Sequence, residues 1–299
     1  MKGLQLLLLF ITCSLTSCTK EEIIYENEHI DVVIEGNEVP PYSGVTSIQI
    51  EGYVNRLFID LLGREPSITE RTEAKNYLKS NDLTEGAREF ILNQLMNSNE
   101  YYQRFFTIHS GELLDGIASQ DITNGIATFS ILYNNAVIAG NTSLAQYYQN
   151  GSEKLIALEQ AINDYSIGLV SVDLFFARLI DNHFFDNINM GSENFAIGSF
   201  EGLFNRLPTE AELEASIEMI DGFSAQLLLR DGNGKDDFIK IVTTVPEFYQ
   251  GLTIDIYNQL LARNPDSQEM SNGTIILSST SDYKAVQKIV LISDEYAGF

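Results

Sequence analysis

The sequence predicts an all-α protein: a multi-helical array of three related helix-turn-helix units with a helical middle segment. Three observations carry this expectation. An arginine-proline motif occurs three times at the end of an apolar stripe with helical spacing, and each copy leads directly into a helix-capping signature. Downstream of each lies an amphipathic run with apolar residues four apart, which places them on one helical face.

The chain has 299 residues, of which 44% are hydrophobic, enough for a substantial core. With 42 acidic against 18 basic residues the formal charge is -24, which argues against a phosphate-binding face and excludes nucleic acid as an expected partner.

The first element is MKGLQLLLLFITCSLTSC. Lys2 supplies a positive start, Leu6 to Ile11 a short apolar core, and Leu15-Thr16-Ser17-Cys18 fits a lipobox. The apolar run is too short to cross a bilayer core of about 30 Å. Residues 1–17 therefore read as a lipoprotein signal peptide, with Cys18 as the acylated, palmitate-type first residue of the mature chain. Cys13 leaves with the leader, so the mature chain keeps no cysteine for a disulfide, a thiol nucleophile or a metal site. Thr19-Lys20-Glu21-Glu22 is similar to the signal that sends lipoproteins of the Bacteroidota to the outer face of the outer membrane. That resemblance implies a lipid-anchored, surface-exposed protein, while the same residues also serve as a solvated tether. Residues 18–46 form this acidic tether, with Pro40-Pro41 and one possible short strand at Ile30 to Ile34.

Repeat 1 (residues 47–108) carries Phe58, Leu61, Leu62, Gly63, Arg64, Pro66, Ser67 and Glu70. Repeat 2 (196–252) carries Phe200, Leu203, Phe204, Asn205, Arg206, Pro208, Thr209 and Glu212. Repeat 3 (253–299) carries Tyr257, Leu260, Leu261, Ala262, Arg263, Pro265, Asp266 and Glu269 at the same offsets. The aromatic and leucines end a helix, and Gly63 and Asn205 suit a left-handed C-terminal cap. Ala262 departs from that pattern. The arginine sits by the negative end of the helix dipole and proline stops the helix. Ser67, Thr209 and Asp266 with Glu70, Glu212 and Glu269 then form capping boxes. Pairing of each arginine with its own glutamate across the turn is a further expectation.

The downstream half repeats as well. Glu100-Tyr101, Glu247-Phe248 and Glu295-Tyr296 follow the arginines by 36, 41 and 32 residues. Before them lie Ile91 and Leu95, Phe238 and Val242, and Val286 and Val290. Together with Asn97 to Phe106 (NSNEYYQRFF), the motif resembles helical repeat domains of the phycobilisome-linker type, their unpigmented relatives in bacterial surface proteins, and the planctomycete domains of unknown function that accompany c-type cytochromes. The resemblance covers about 48–108 and 196–299 and implies an all-α scaffold without an assigned activity.

The middle segment, residues 109–195, has apolar runs at Ile126 to Ile138, Leu155 to Ile162 and Leu169 to Phe185, with polar turns expected at Asn141-Thr142 and Asn150-Gly151-Ser152. Asp181, His183 and Asp186 have ligand chemistry, but a helix-end histidine beside aromatics is more often structural. His29 and His109 lie far from it in sequence.

No metalloprotease, hydrolase, phosphate-loop, dinucleotide or haem-attachment motif is present, so no catalytic set, metal or cofactor is expected. Asp231 to Asp237 superficially resembles a calcium loop, yet Lys235 takes its fifth position and Val242 stands where the closing glutamate belongs. That loop reads instead as acidic, with Asp236 or Asp237 capping a helix near Phe238. Tyr101, Tyr102, Phe105 and Phe106 read as core, and Tyr147 and Tyr148 as better candidates for an exposed contact. The balance favours a non-enzymatic, surface-anchored binding or assembly protein with a protein partner at the outer membrane. The alternative is an accessory enzyme or carbohydrate-processing factor using acids such as Asp181 and Asp186.

Overall fold

The computed structural model describes residues 44–299; the leader, Cys18, His29 and the tether as far as residue 43, with its possible strand, lie outside the described residues. Repeat 1 is built from α1 (Ser47–Leu62), α2 (Ile68–Ser80), α3 (Glu85–Met96) and α4 (Asn99–Leu113). The middle segment contributes α5 (Ser119–Ile138), α6 (Thr142–Ser166), α7 (Val172–Ile180) and α8 (His183–Ile188). Repeat 2 follows with α9 (Ser192–Phe204), α10 (Glu210–Ile220), an antiparallel ribbon of β1 (Ala225–Leu227) and β2 (Arg230–Gly232), α11 (Lys235–Val242) and α12 (Pro246–Leu261). Repeat 3 reuses α12 as its first helix and adds α13 (Ser267–Thr280), α14 (Tyr283–Leu291) and α15 (Asp294–Ala297). The fold is all-α, as the sequence predicts. The 252/253 division falls inside α12, whose first turn closes one repeat and whose last turn opens the next.

The caps form as the motif requires. Gly63 (φ 73°), Asn205 (φ 58°) and Ala262 (φ 52°) all take the left-handed conformation after α1, α9 and α12. Ala262 thus follows its two counterparts despite its β-carbon, because the surrounding turn fixes the backbone. Ser67, Thr209 and Asp266 cap α2, α10 and α13, each with a complete capping box.

One expected turn is absent. Asn150-Gly151-Ser152 lies inside the 25-residue α6. Gly151 sits against the ring of Phe129 on α5, so close that any β-carbon there would overlap it. The glycine is a packing notch between α5 and α6, and that contact overrides its turn tendency. A second difference concerns α11, which starts at Lys235 with Gly234 as its cap; Asp237 reaches back to accept the Asn233 N–H at 3.0 Å. The preceding ribbon, too short to show a period, carries no sequence signal.

Repeats 1 and 3 pack against each other through α1 on α15 and α3 on α14. Buried polar groups set the register of this contact. The Tyr53 hydroxyl donates to the Leu291 carbonyl at 3.1 Å, Tyr101 to Gln287 Oε1 at 2.6 Å, and Tyr296 to Asp60 Oδ2 at 2.7 Å. Arg88 bonds Asp294 at 2.8 Å. Tyr101, Phe105 and Phe106 are core residues, and Phe105 stacks on Tyr165 and meets Phe175 and Tyr283. No described helix is long and apolar enough to cross a membrane.

Candidate functional site

The three motif arginines occupy equivalent clamps, and dipole placement is the smaller part of their role. Each uses all five N–H donors of its guanidinium. Arg64 Nε donates to Glu100 Oε2 at 2.6 Å, while Nη1 and Nη2 form a fork onto Glu70 at 3.0 and 2.8 Å. Its remaining donors reach Glu100 Oε1 at 3.3 Å and the Glu65 carbonyl at 3.2 Å. Arg206 repeats the pattern with Glu212 at 2.8 and 2.7 Å, Glu247 at 2.6 and 3.0 Å, and the Leu207 carbonyl at 3.0 Å. Arg263 does so with Glu269 at 2.7 and 2.8 Å, Glu295 at 2.6 and 2.7 Å, and the Asn264 carbonyl at 3.0 Å.

Each guanidinium also lies over the motif aromatic, Phe58 at 5.3 Å, Phe200 at 5.2 Å and Tyr257 at 5.4 Å. The expected pairing with the glutamate across the turn is present. The repeated distal glutamate is the second jaw, closing the first and last helix of each repeat onto the turn. A planar five-donor fork explains why arginine, and not lysine, stands at this position.

The clamps shift the acids they hold. The hydrogen bond from Arg64 holds Glu70 down to about 2, and that from Arg206 holds Glu212 down to about 2. Arg263 likewise lowers Glu269 and Glu295. A depressed carboxylate contributes stability that is present above its unfolded value, 4.5 for glutamate, and is lost as pH falls through the folded value. The protein therefore loses stability progressively as pH falls from about 5 to about 2, which thermal melts across that range measure. A melting temperature flat from pH 5 to 3 contradicts the clamps.

Beside two of the clamps lies an equivalent cleft. In repeat 1 it occupies about 430 Å³ between Phe58, Ala74, Tyr77, Phe90, Ile91 and Leu95. In repeat 3 it shrinks to about 180 Å³ and runs along Tyr257, Gly273, Val286 and Val290. Repeat 1 differs by a stacked aromatic pair, Tyr77 on Phe90 at 4.3 Å, where repeat 3 has Ile276 and Ala285. Phe90 remains 43% exposed.

Asp181, His183 and Asp186 do not converge. Lys154 bonds Asp181 at 2.6 Å and Lys235 pairs with Asp186. Burial raises the Asp181 pKa, and Lys154 opposes the rise. The His183 ring meets Phe129 at 5.1 Å and shares a hydrogen bond with Asn187 at 2.9 Å. Tyr148 packs edge-on to Phe129, whereas Tyr147 is 61% exposed on α6.

A second cleft, absent from the sequence reading, collects carboxylates that are distant in sequence. Glu112 and Asp115 at the end of α4, Glu201 on α9 and Asp255 on α12 line about 440 Å³. Asn205 Nδ2 donates to Asp255 at 2.8 Å, and burial pushes the Asp255 carboxyl up to about 6. In this carboxylate the charged form is disfavoured by folding, so at neutral pH it subtracts from stability. Behind it, His109 is 2% exposed; its Nδ1 lies 3.4 Å from Glu112 Oε2 in an alignment that makes no hydrogen bond. The buried Tyr283 hydroxyl, in the same cluster, also has no partner among the described residues. Among the described residues no group of three or more histidine, cysteine or acidic side chains is placed to hold a metal ion.

Comparison with known proteins adds no relative: no family model, no curated protein and no solved structure matches the chain.

Proposed function

We propose that the chain is a lipid-anchored helical scaffold that binds a protein partner at the outer membrane through the cleft of repeat 1. The observation that carries this reading is the difference between equivalent repeats. The clamp occurs in all three, so architecture accounts for it. Architecture does not account for the Tyr77 and Phe90 pair, which lines the larger repeat 1 cleft and leaves an aromatic face in solvent. Aromatic side chains over an apolar groove with a polar rim are the usual composition of a protein contact. The lipobox ending at Cys18 and the acidic segment behind it support the anchor and the surface location. The likeness of the motif to bacterial surface repeats agrees with a scaffold.

Two measurements test the two halves separately. Replacement of Cys18 by alanine is expected to move the chain from the membrane fraction to the soluble fraction and to abolish fatty-acid labelling. Persistent labelling would remove the anchor from the account. For the contact, the tagged full chain is isolated from detergent-solubilised membranes beside a Phe90→Ser variant. A partner held by the wild type and lost by the variant supports the proposal, and a partner retained equally by both removes the cleft from it. Phe90 is exposed enough that the variant keeps the fold.

A further inference from the structure

Residues 122–152 carry no charged side chain, in a chain where 20% of residues are charged and the net charge is -24. They form the far part of the hairpin of α5 and α6. At the level of Phe129 and Tyr148 this hairpin still meets the body, through the His183 ring of α8. Beyond that level, from Ser130 to Tyr147, the buried side chains are Ala136 and Ala145, so the two helices share a narrow seam and turn the rest of their surface to solvent.

Polarity falls in steps along the arm. Asp121, Glu153 and Lys154 mark the end of the charged surface, and Asn134, Asn135 and Gln146 follow as neutral polar groups. The last turns expose Val137, Ile138 and Leu144, with Tyr147 one turn behind. The connecting loop satisfies its own backbone. The N–H groups of Ala139, Gly140 and Asn141 donate to the carbonyls of Asn135, Val137 and Ala136, and the Asn141 side chain accepts the Leu144 N–H. Neutral side chains and paired backbone groups make this end cheap to remove from water.

We propose that the tip of the hairpin inserts into the headgroup and upper acyl region of a zwitterionic bilayer, as a second membrane contact beside the lipid anchor. The inference rests on the anchor reading and not on the cleft of repeat 1. Charge, neutral polar groups and aliphatic side chains succeed one another along the arm in the order of water, headgroups and acyl chains. Tyrosine behind the aliphatic tip stands where interfacial tyrosines stand. A body of charge -24 is repelled by an anionic surface, which selects zwitterionic lipid. The described helices are not long and apolar enough to cross a membrane, which agrees with a shallow contact. The 25 residues from 19 to 43 reach at most about 80–90 Å, so an anchor at Cys18 lets the arm face the bilayer. A second copy of the chain is a poorer occupant. It needs about 800 Å² from each partner, and the exposed large apolar residues of the arm, Ile131 apart, are confined to its end.

The chain contains no tryptophan, so one introduced at the tip reports on its own surroundings. Ile138→Trp and a control on the body, Ile68→Trp, replace side chains of matched exposure, 84% and 83%, and both leave the fold intact. Each full chain is reconstituted into phosphatidylcholine vesicles with and without acyl-brominated lipid, which quenches tryptophan on contact. The emission of the Ile138→Trp chain is expected to move to shorter wavelength and to be quenched by the brominated lipid, while the Ile68→Trp chain shows neither effect. Adding Leu144→Asp to the tip reporter is expected to abolish both effects, because a carboxylate at that depth is costly. Flotation and fatty-acid labelling read the anchor separately, so a floated, labelled chain with a water-exposed tip overturns this proposal and leaves the anchor standing. Equal quenching of both reporters overturns it as well. So does a shift at the tip without quenching, which would place a second copy over it. A chain that carries no lipid and stays off the vesicles overturns tip and anchor together.

Discussion

Alanine in place of Gly251 lowers the stability of the protein by at least about 2 kcal/mol, although alanine is the better helix former. Gly251 lies in α12 where it crosses α9, and a β-carbon there would fall inside contact distance of the Leu203 backbone carbonyl. A side chain in the way can rotate, but a helical carbonyl cannot, so the two helices must separate. The helix-propensity gain of about 1 kcal/mol is smaller than the usual overpacking penalty of about 1–3 kcal/mol when a flexible neighbour can yield. Here the neighbour is backbone and the penalty lies at the upper end. Gly52 in α1 is the internal comparison, because nothing stands within 4 Å of its virtual β-carbon. Gly52→Ala is expected to raise stability by up to about 1 kcal/mol. A loss at Gly251 and a gain at Gly52 would separate packing from propensity in one pair of melts.

Removal of the Arg206 side chain has an effect of similar size by a different route. Arg206→Ala leaves Glu212 and Glu247 facing each other without their shared cation. Hydrogen bonds to charged groups contribute about 1.5–3 kcal/mol each when sheltered, and partial exposure reduces that. The arginine side chain is 33% exposed and its partners 18% and 30%, so the net loss expected is about 2–3 kcal/mol, or about 5–10 °C in melting temperature. Arg64 and Arg263, whose distal glutamates are about half exposed, lose less. Arg206→Lys recovers only part of the loss, because one ammonium cannot fork onto two carboxylates and a carbonyl.

The clamps were half legible in the sequence. Arginine, proline, cap and near glutamate repeat at fixed offsets, so the helix stop and the capping box are visible without coordinates. The distal glutamates also repeat, as the residues before Tyr101, Phe248 and Tyr296. Their link to the arginines is hidden because the intervening lengths of 36, 41 and 32 residues vary with the loops. Only the fold shows that the two repeated signals meet at one guanidinium.

Other features lay beyond sequence reasoning for identifiable reasons. Gly151 has the composition of a turn, but its meaning depends on Phe129 from another helix. The acidic cleft draws Glu112, Glu201 and Asp255 from three helices and Asp115 from the turn after α4, and nothing in their spacing brings them together. Asp181 and Asp186 are close in sequence, yet each is taken by a different lysine.

The central claim is that the repeated arginine is an architectural clamp whose second jaw is the distal glutamate. A double-mutant cycle on Arg206→Ala and Glu247→Gln measures that link directly, through the unfolding free energies of the wild type, both single variants and the double variant. The clamp predicts a coupling energy of at least about 1.5 kcal/mol. Additive losses, with no coupling between the two positions, would contradict it.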